Sequence, residues 1–164
     1  MSDVRTLLED QIDGITTQVH WFAGLERALQ GATADEAAWV PAQGLNTIWQ
    51  LVNHMTFWTQ YMVNFITGVP NPDGHIDNAV TLGAPGDPAD EAGWAAAKEG
   101  LFQVQAKLKS LVAESDPTQP PAGRKTTIGK SVGDINLHNA QHLGQIILIR
   151  KLRATEWEPV KWGE

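Results

Sequence analysis

The sequence predicts an all-α protein, most simply a four-helix bundle. Four long segments carry apolar residues at three- and four-residue steps, which is the period of a helix that packs on one face. The only stretch that leans towards β-structure, KTTIGKSV, is too short to compete with them. With 164 residues, of which 42% are hydrophobic, the chain can bury one core. We therefore expect a single domain over residues 1–164.

The first helix is predicted over residues 3–30. Apolar side chains recur from Leu7 to Leu25 at helical spacing, and Gly31 is placed to end the helix. A connection follows, in which residues 34–38 fit a short helical turn.

The second helix is predicted from Asn46, a favourable N-cap, to about Thr67, where a glycine and a proline stop it. About twenty residues rich in glycine and proline then separate it from the third helix, from Gly68 to Asp87. Neighbouring antiparallel helices need only about two to eight connecting residues. This loop is therefore expected to be a long crossover along the bundle, a lid over a site, or both.

The third helix is predicted over residues 87–114 and the fourth over residues 131–152. The third opens on the sequence DP, an N-cap followed by a proline at the first helical position. The fourth opens on SVGD, which is like a capping box with Asp in place of Glu. The remaining tail contains Trp157 and Trp162, and we expect it to pack back onto the helices.

Composition excludes several classes of protein. The net charge is −7 and no basic run exceeds two residues, so a nucleic-acid partner is not expected. There is no cysteine, so a transition metal would have to be held by His, Asp or Glu. The sequence shows neither a signal peptide nor an apolar stretch of about 18–20 residues. We expect a cytoplasmic protein without a membrane partner.

The stretch HNAQH in the fourth helix is a candidate half of a metal site. On a helix, His138 and His142 project about 40° apart, and both imidazoles can reach one divalent ion. They share a face with Ile135, Ile146 and Ile149, which should look into the bundle. The same spacing also fits two rim histidines that are bonded to water or to neighbouring side chains.

A third ligand would have to come from another helix, and His54 is the best candidate. It lies beside Leu51 and Trp58, near the apolar seam of the second helix. A lone histidine there is also typical of a hydrogen-bonded core residue. His20 and His75 are weaker candidates. Three histidine ligands would leave one coordination position open, as catalytic metals require.

Other residues near this pair have two interpretations each. Asn139 stands where a zincin protease carries its catalytic Glu, which argues against that class. Asp134, one turn before His138, could orient that imidazole or serve only as an acid near a helix N-terminus. Gln145 lies on the ligand face but could equally bridge helices.

The sequence NTIWQLVNHMTFW, followed at a distance by SVGDINLHNAQHLGQIILIR, resembles the DinB/YfiT-like superfamily of four-helix-bundle metalloproteins. The resemblance covers the whole chain in element order. It is most specific in the single His of the second helix and in HxxxHxGQI of the fourth. It implies a zinc or nickel ion bound by His54, His138 and His142. It also implies an up-down-down-up bundle with a long crossover between helices two and three, and a homodimer.

Relatives in this superfamily include metal-dependent thiol transferases, such as bacillithiol transferases and mycothiol-dependent maleylpyruvate isomerases, and proteins described as hydrolases. The resemblance therefore implies an enzyme whose metal activates a low-molecular-weight thiol or water for a small-molecule substrate. Tyr61 could donate a hydrogen bond to that substrate or simply pack as an aromatic. The alternatives are a metal-dependent hydrolase, a non-catalytic metal-stabilised binding or stress-response module, and a bundle whose histidines are structural.

Overall fold

The computed structural model describes residues 3–17 and 21–153, so His20, Trp157 and Trp162 lie outside the described residues. These ranges contain helices and no strand, which confirms the all-α prediction. None of the described helices is long and apolar enough to cross a membrane. The helices are α1 Val4–Thr16, α2 Leu25–Leu29, α3 Ala34–Ala38, α4 Ile48–Thr67, α5 Asn78–Leu82, α6 Glu91–Glu114 and α7 Ile128–Arg153.

The prediction of one helix over residues 3–30 is wrong, because α1 ends at Thr16 and α2 is a separate element. Gly14 and the β-branched residues that follow it have low helix propensity. Gly24, which precedes α2, is extended, with φ −71° and ψ 175°. The apolar pattern nevertheless continues through α2, because α2 packs against α7. Periodicity alone therefore concealed the break.

The second predicted helix is α4, and it begins one residue later than expected. Thr47, rather than Asn46, is the N-cap, and it forms a capping box with Gln50. The Thr47 hydroxyl also donates to the carbonyl oxygen of Pro85 at 2.8 Å, which fastens the following connection to the start of α4. The predicted end at Thr67 and the short helix α3 are confirmed.

The starts of α6 and α7 also differ from the prediction. The carboxylate of Asp87 accepts from the backbone N–H of Ala89 and closes a turn, so Asp90 caps α6 instead. α7 begins at Ile128, one turn before the predicted start at Ser131. At α7 the Thr127 hydroxyl oxygen accepts from the backbone N–H of Lys130 at 3.3 Å, so a local hydrogen bond marks each of the two starts.

Helices α4 and α6 are consecutive among the long helices, and their contacts advance in the same direction. Near the start of both helices, the Trp49 and Trp94 rings lie 5.4 Å apart. Further along, the side-chain amide of Gln105 donates to the Thr59 hydroxyl at 3.3 Å. The connection of residues 68–90 must therefore return along α4 before α6 begins, and α5 packs against α4 on the way.

A polar layer divides the core at the level of the site. It consists of the buried side chains of Thr59 on α4, Gln105 on α6 and Asn139 on α7. Gln105 and Asn139 both donate to the Thr59 hydroxyl oxygen, at 3.3 and 3.1 Å. Apolar clusters lie on either side, the first including Leu51, Met55, Leu101, Leu143 and Ile146, the second including Val63, Val104, Leu108, Val132 and Ile135.

Candidate metal centre

Three histidines from two helices converge beside the polar layer. The Nε2 atoms of His54 and His138 lie 3.1 Å apart, and those of His138 and His142 lie 3.2 Å apart. The candidate ligand atoms of all three residues are within 4.8 Å of one another. α4 supplies the first histidine and consecutive turns of α7 supply the other two. The structure thus brings together the three residues that were predicted as ligands.

The hydrogen bonds of His54 assign its protonation. Its Nδ1 lies 2.6 Å from the Thr81 hydroxyl oxygen. That hydroxyl donates its own proton to the carbonyl oxygen of Asn78 at 2.9 Å, so its oxygen is left to accept. His54 therefore carries its proton on Nδ1 and presents a lone pair at Nε2.

The other two imidazoles follow the same arrangement. Nδ1 of His142 lies 2.7 Å from Oε1 of Gln145. Nδ1 of His138 lies 3.3 Å from Oδ1 of Asn139, whose Nδ2 is engaged by Thr59. In all three histidines Nδ1 thus faces an oxygen atom, a hydroxyl for His54 and an amide oxygen for the other two, and the Nε2 atoms are left to face one another. Outer hydrogen bonds of this kind orient the imidazoles of metal sites.

The spacing of the Nε2 atoms fits a divalent ion. Metal–nitrogen bonds of about 2.0–2.1 Å place neighbouring ligand atoms about 3.3–3.4 Å apart in a tetrahedral site and about 2.8–3.0 Å apart on an octahedral face. The two observed separations, 3.1 and 3.2 Å, fall between these values. Without a cation, the three converging lone pairs would repel one another. The residues present therefore fit a divalent metal ion.

Burial favours the neutral form of two of these imidazoles. Burial, followed by the nearby His142 and His138, lowers the pKa of His54 to about 4. The pKa of His138 is also lowered, first by burial and then by His142, while its hydrogen bond to Asn139 acts in the opposite direction. A neutral imidazole is the form that binds a metal.

The histidines open onto a cavity of about 580 Å³. This volume is in the range of small-molecule sites, about 300–1,000 Å³. The Trp58 ring forms part of the wall, with its centroid 6.2 Å from that of His54 and 5.3 Å from that of Tyr61. Among the described residues, no carboxylate joins the histidine group. The cavity is also lined by Met62, Asn78, Asp134, Ile135 and Gln141.

The remaining candidates take different places. Asp134 was left between two roles; its carboxylate pairs with Lys130 at 2.7 Å, and it is Oδ1 of Asn139 that lies beside Nδ1 of His138. Gln145 could have lain beside the ligands or bridged two helices. The structure places its Oε1 beside Nδ1 of His142. His75 is exposed and outside the histidine group.

Two hydrogen-bonding residues of the centre were missed from the sequence. Thr81 lies 27 positions after His54, in a short helix of the connection, and no spacing rule links the two. Asn139 was visible within HNAQH. The lack of a carboxylate at this position was used only to argue against a zincin protease. Its position directly after His138 was the available signal.

The fold and the site define a helical protein with a three-histidine centre that could bind a metal. The family model described as the DinB superfamily matches residues 18–146, a span that includes all three histidines. The chain belongs to the DinB superfamily, which confirms the resemblance. No curated protein and no solved structure has a significant match to the chain.

Proposed function

We propose that the protein binds one divalent ion, zinc or nickel, through Nε2 of His54, His138 and His142. We further propose that it is a metal-dependent enzyme that uses a low-molecular-weight thiol, or water, against a small electrophilic substrate, as a thiol S-transferase does. The observation that carries this proposal is the convergence of three Nε2 atoms at the wall of a cavity of about 580 Å³. The net charge of −7 supports a small-molecule partner rather than nucleic acid, and we place the protein in the cytoplasm.

A divalent ion with three imidazole ligands keeps a coordination position open and lowers the pKa of the water or thiol bound there. The chain supplies the surroundings. Trp58 and Met62 give the cavity an apolar wall that excludes water from the substrate. Tyr61 lines the same cavity and is proposed to donate a hydrogen bond to the substrate.

For the fold, we propose that α1, α4, α6 and α7 form an up-down-down-up four-helix bundle in a single domain over residues 1–164. The shared direction of α4 and α6 supports this, as does the opposite direction of α1 and α6. Arg5, early in α1, bonds to the carbonyl oxygen of Ser115 beyond the end of α6 at 2.8 Å. Asp13, late in α1, pairs with Lys109 at 2.7 Å.

Metal analysis of protein purified without added metal tests the ligand set. We expect close to one ion per chain by mass spectrometry. Occupancy should fall below about a tenth in His138→Ala and in His142→Ala, because each loses a ligand. The matched control is His75→Ala, which removes an exposed histidine outside the group and should keep the metal. Full occupancy in either ligand variant would contradict the proposal.

A screen of metal-loaded protein with thiols and electrophilic substrates tests the enzyme class. Thiol-dependent turnover supports an S-transferase, and turnover without thiol identifies the alternative, a metal-dependent hydrolase. Tyr61→Phe should lower turnover about tenfold while the metal content stays unchanged, because the hydroxyl is proposed to contact substrate. If the metal is bound but no thiol, inhibitor or exchangeable water reaches it, the protein is a non-catalytic binding or stress-response module.

A further inference from the structure

A second cavity lies between α1 and α7, apart from the metal centre. Its volume is about 410 Å³, which is in the range of small-molecule sites. It has no lining residue in common with the cavity of the histidines, although α7 borders both. The proposed metal-dependent reaction therefore gives this second cavity no role.

Large apolar side chains surround the second cavity and are exposed to solvent. Trp21 is 91% exposed and Leu137 is 73% exposed, and Leu7 and Phe22 are exposed as well. Single exposed apolar residues need no explanation. Four of them around one concave surface form a patch that indicates contact with another molecule.

One buried amide lies in the wall of this cavity. Asn136 is only 3% exposed, and its Nδ2 donates to Oε1 of Gln11 at 3.2 Å. Its Oδ1 is buried and has no hydrogen-bond partner among the described residues. Buried acceptors are normally paired, because an unpaired one destabilises the fold. A ligand that donates a hydrogen bond to Oδ1 would account for this one.

The hydrogen bonds of this amide indicate the kind of group that it can bind. Gln11 is exposed, so its side chain can turn into solvent and leave Nδ2 of Asn136 to another acceptor. A primary amide or a lactam carries an acceptor and a donor side by side. Its oxygen can accept from Nδ2 in place of Gln11, while its N–H donates to Oδ1. Asparagine side chains form the same pair of bonds with the edge of adenine.

The charge of the lining disfavours acidic ligands. Asp10 is the one charged residue among the described residues that line the cavity, and they include no base to neutralise an anion. A carboxylate or a phosphate would lose its water there and lie near a like charge. The apolar part of the wall, which includes Ile15 and Phe22, suits an uncharged ring instead.

We propose that this second cavity binds a small, uncharged molecule that contains a ring and carries a primary amide or lactam group. The amide or lactam pairs with the side chain of Asn136, and the ring lies against Ile15, Phe22 and Leu137. Gln11 holds the Nδ2 position when no ligand is bound. The site does not depend on the proposed metal-dependent reaction, so the failure of one leaves the other standing.

Three probes of equal size test which group is recognised: 2-naphthamide, 2-acetonaphthone and 2-naphthoate. The first offers a donor and an acceptor, the second offers only an acceptor, and the third is an anion. We expect the full-length protein to bind 2-naphthamide with a Kd below about 1 mM. The affinity should be about three- to tenfold higher than for 2-acetonaphthone, which lacks the donor. It should be about tenfold or more above that for 2-naphthoate.

NMR titration locates the bound probe. The indole N–H signal of Trp21, which a Trp21→Phe variant assigns among the seven tryptophans, should shift as 2-naphthamide binds. The signal of Trp94 should not shift, because its Nε1–H donates to the carbonyl oxygen of Ala32 in the core. A shift of Trp94 without one of Trp21 would place the probe elsewhere and overturn the inference.

Asn136→Leu removes the amide and keeps a side chain of similar size. The affinities for 2-naphthamide and 2-acetonaphthone should then agree to within about twofold, because the variant cannot form either bond of the amide. Both probes should still bind, since the apolar wall is unchanged. A preference for 2-naphthamide that survives in this variant would contradict the role of Asn136.

Leu137→Ser keeps the inference testable if Asn136→Leu does not fold, because Leu137 is exposed. It should weaken the binding of 2-naphthamide about threefold or more through the loss of apolar contact. The matched control is Leu148→Ser, which changes another exposed leucine of α7 that does not line this cavity and should leave the affinity unchanged. Equal affinities of the wild type for the three probes, or no binding of any of them, would overturn the inference, whatever the metal content.

Discussion

Two polar clusters lie side by side in this protein, one buried and one open to a cavity, and they are built differently. In the polar layer of Thr59, Gln105 and Asn139, one hydroxyl oxygen accepts from two side-chain amides. In the histidine cluster, the Nδ1 atoms have partners, but the three Nε2 atoms face one another. The first cluster is complete within the protein and stabilises the fold. The second would be completed by the cation that we propose.

Asn139 belongs to both clusters. Its Nδ2 donates to Thr59, which directs its Oδ1 towards Nδ1 of His138. The complete cluster thereby orients part of the incomplete one. A buried hydrogen-bonded layer of this kind holds a ligand more rigidly than apolar packing alone, because it selects one rotamer and one tautomer.

Thr59→Val should have the largest effect on folding. The substitution keeps the shape of the side chain but leaves the amide donors of Gln105 and Asn139 without their acceptor. Each stranded donor costs about 1–3 kcal/mol. Urea denaturation should show this loss, while metal affinity should fall less than in a variant that removes a direct partner of a histidine, because Thr59 reaches His138 only through Asn139. If the variant were as stable as the wild type, the polar layer would not support the fold as we describe.

Thr81→Val makes the same chemical change in the other cluster and should have the opposite consequences. It removes the acceptor for Nδ1–H of His54. Loss of such an outer partner lowers metal affinity by about 10–100-fold. Competition with a chelator measures this, and the metal-free variant should be destabilised less than Thr59→Val. If Thr81→Val bound the metal as tightly as the wild type, Thr81 would not support metal binding through His54 as we describe.

The smallest expected effect is on the pH dependence of the metal-free protein. His54 has a pKa of about 4 when folded and 6.5 ordinarily, and the pKa of His138 is also lowered. Between pH 6.5 and 4 the unfolded chain therefore binds more protons than the folded one. Stability contributed by these histidines is present above pH 6.5 and is lost as the pH falls towards 4.

The control for this dependence is His54→Gln, which removes the titrating group with the largest shift. Its stability should fall less than that of the wild type over the same interval, as measured by urea denaturation at a series of pH values. An identical pH profile in the two proteins would mean that His54 does not titrate as its burial requires.

Local patterns in the sequence predicted much of the fold. Apolar periodicity located α4, α6 and α7, and their ends at Thr67 and Glu114 are as expected. The starts were less predictable, because Asp87 and Asp90 are equally good caps and only the turn to Ala89 selects between them. The break after Thr16 was hidden, because α2 continues to bury apolar residues against α7.

The same limit applies to the candidate site. His138 and His142 share a helix face by spacing alone, and the apolar seam of α4 pointed to His54. Thr81 could not be predicted, because a connection of more than twenty residues sets its distance from His54. Side chains related by helical period are visible in a sequence, whereas those brought together by a loop are not.

X-ray absorption spectroscopy of the purified protein at the edge of its bound metal tests the central claim most directly. We predict three imidazole ligands at about 2.0–2.1 Å, together with lighter scatterers at the open position. The signal of the imidazole rings should weaken in His54→Ala. A metal with fewer than three imidazoles in the wild type, or a spectrum unchanged by His54→Ala, would contradict the account.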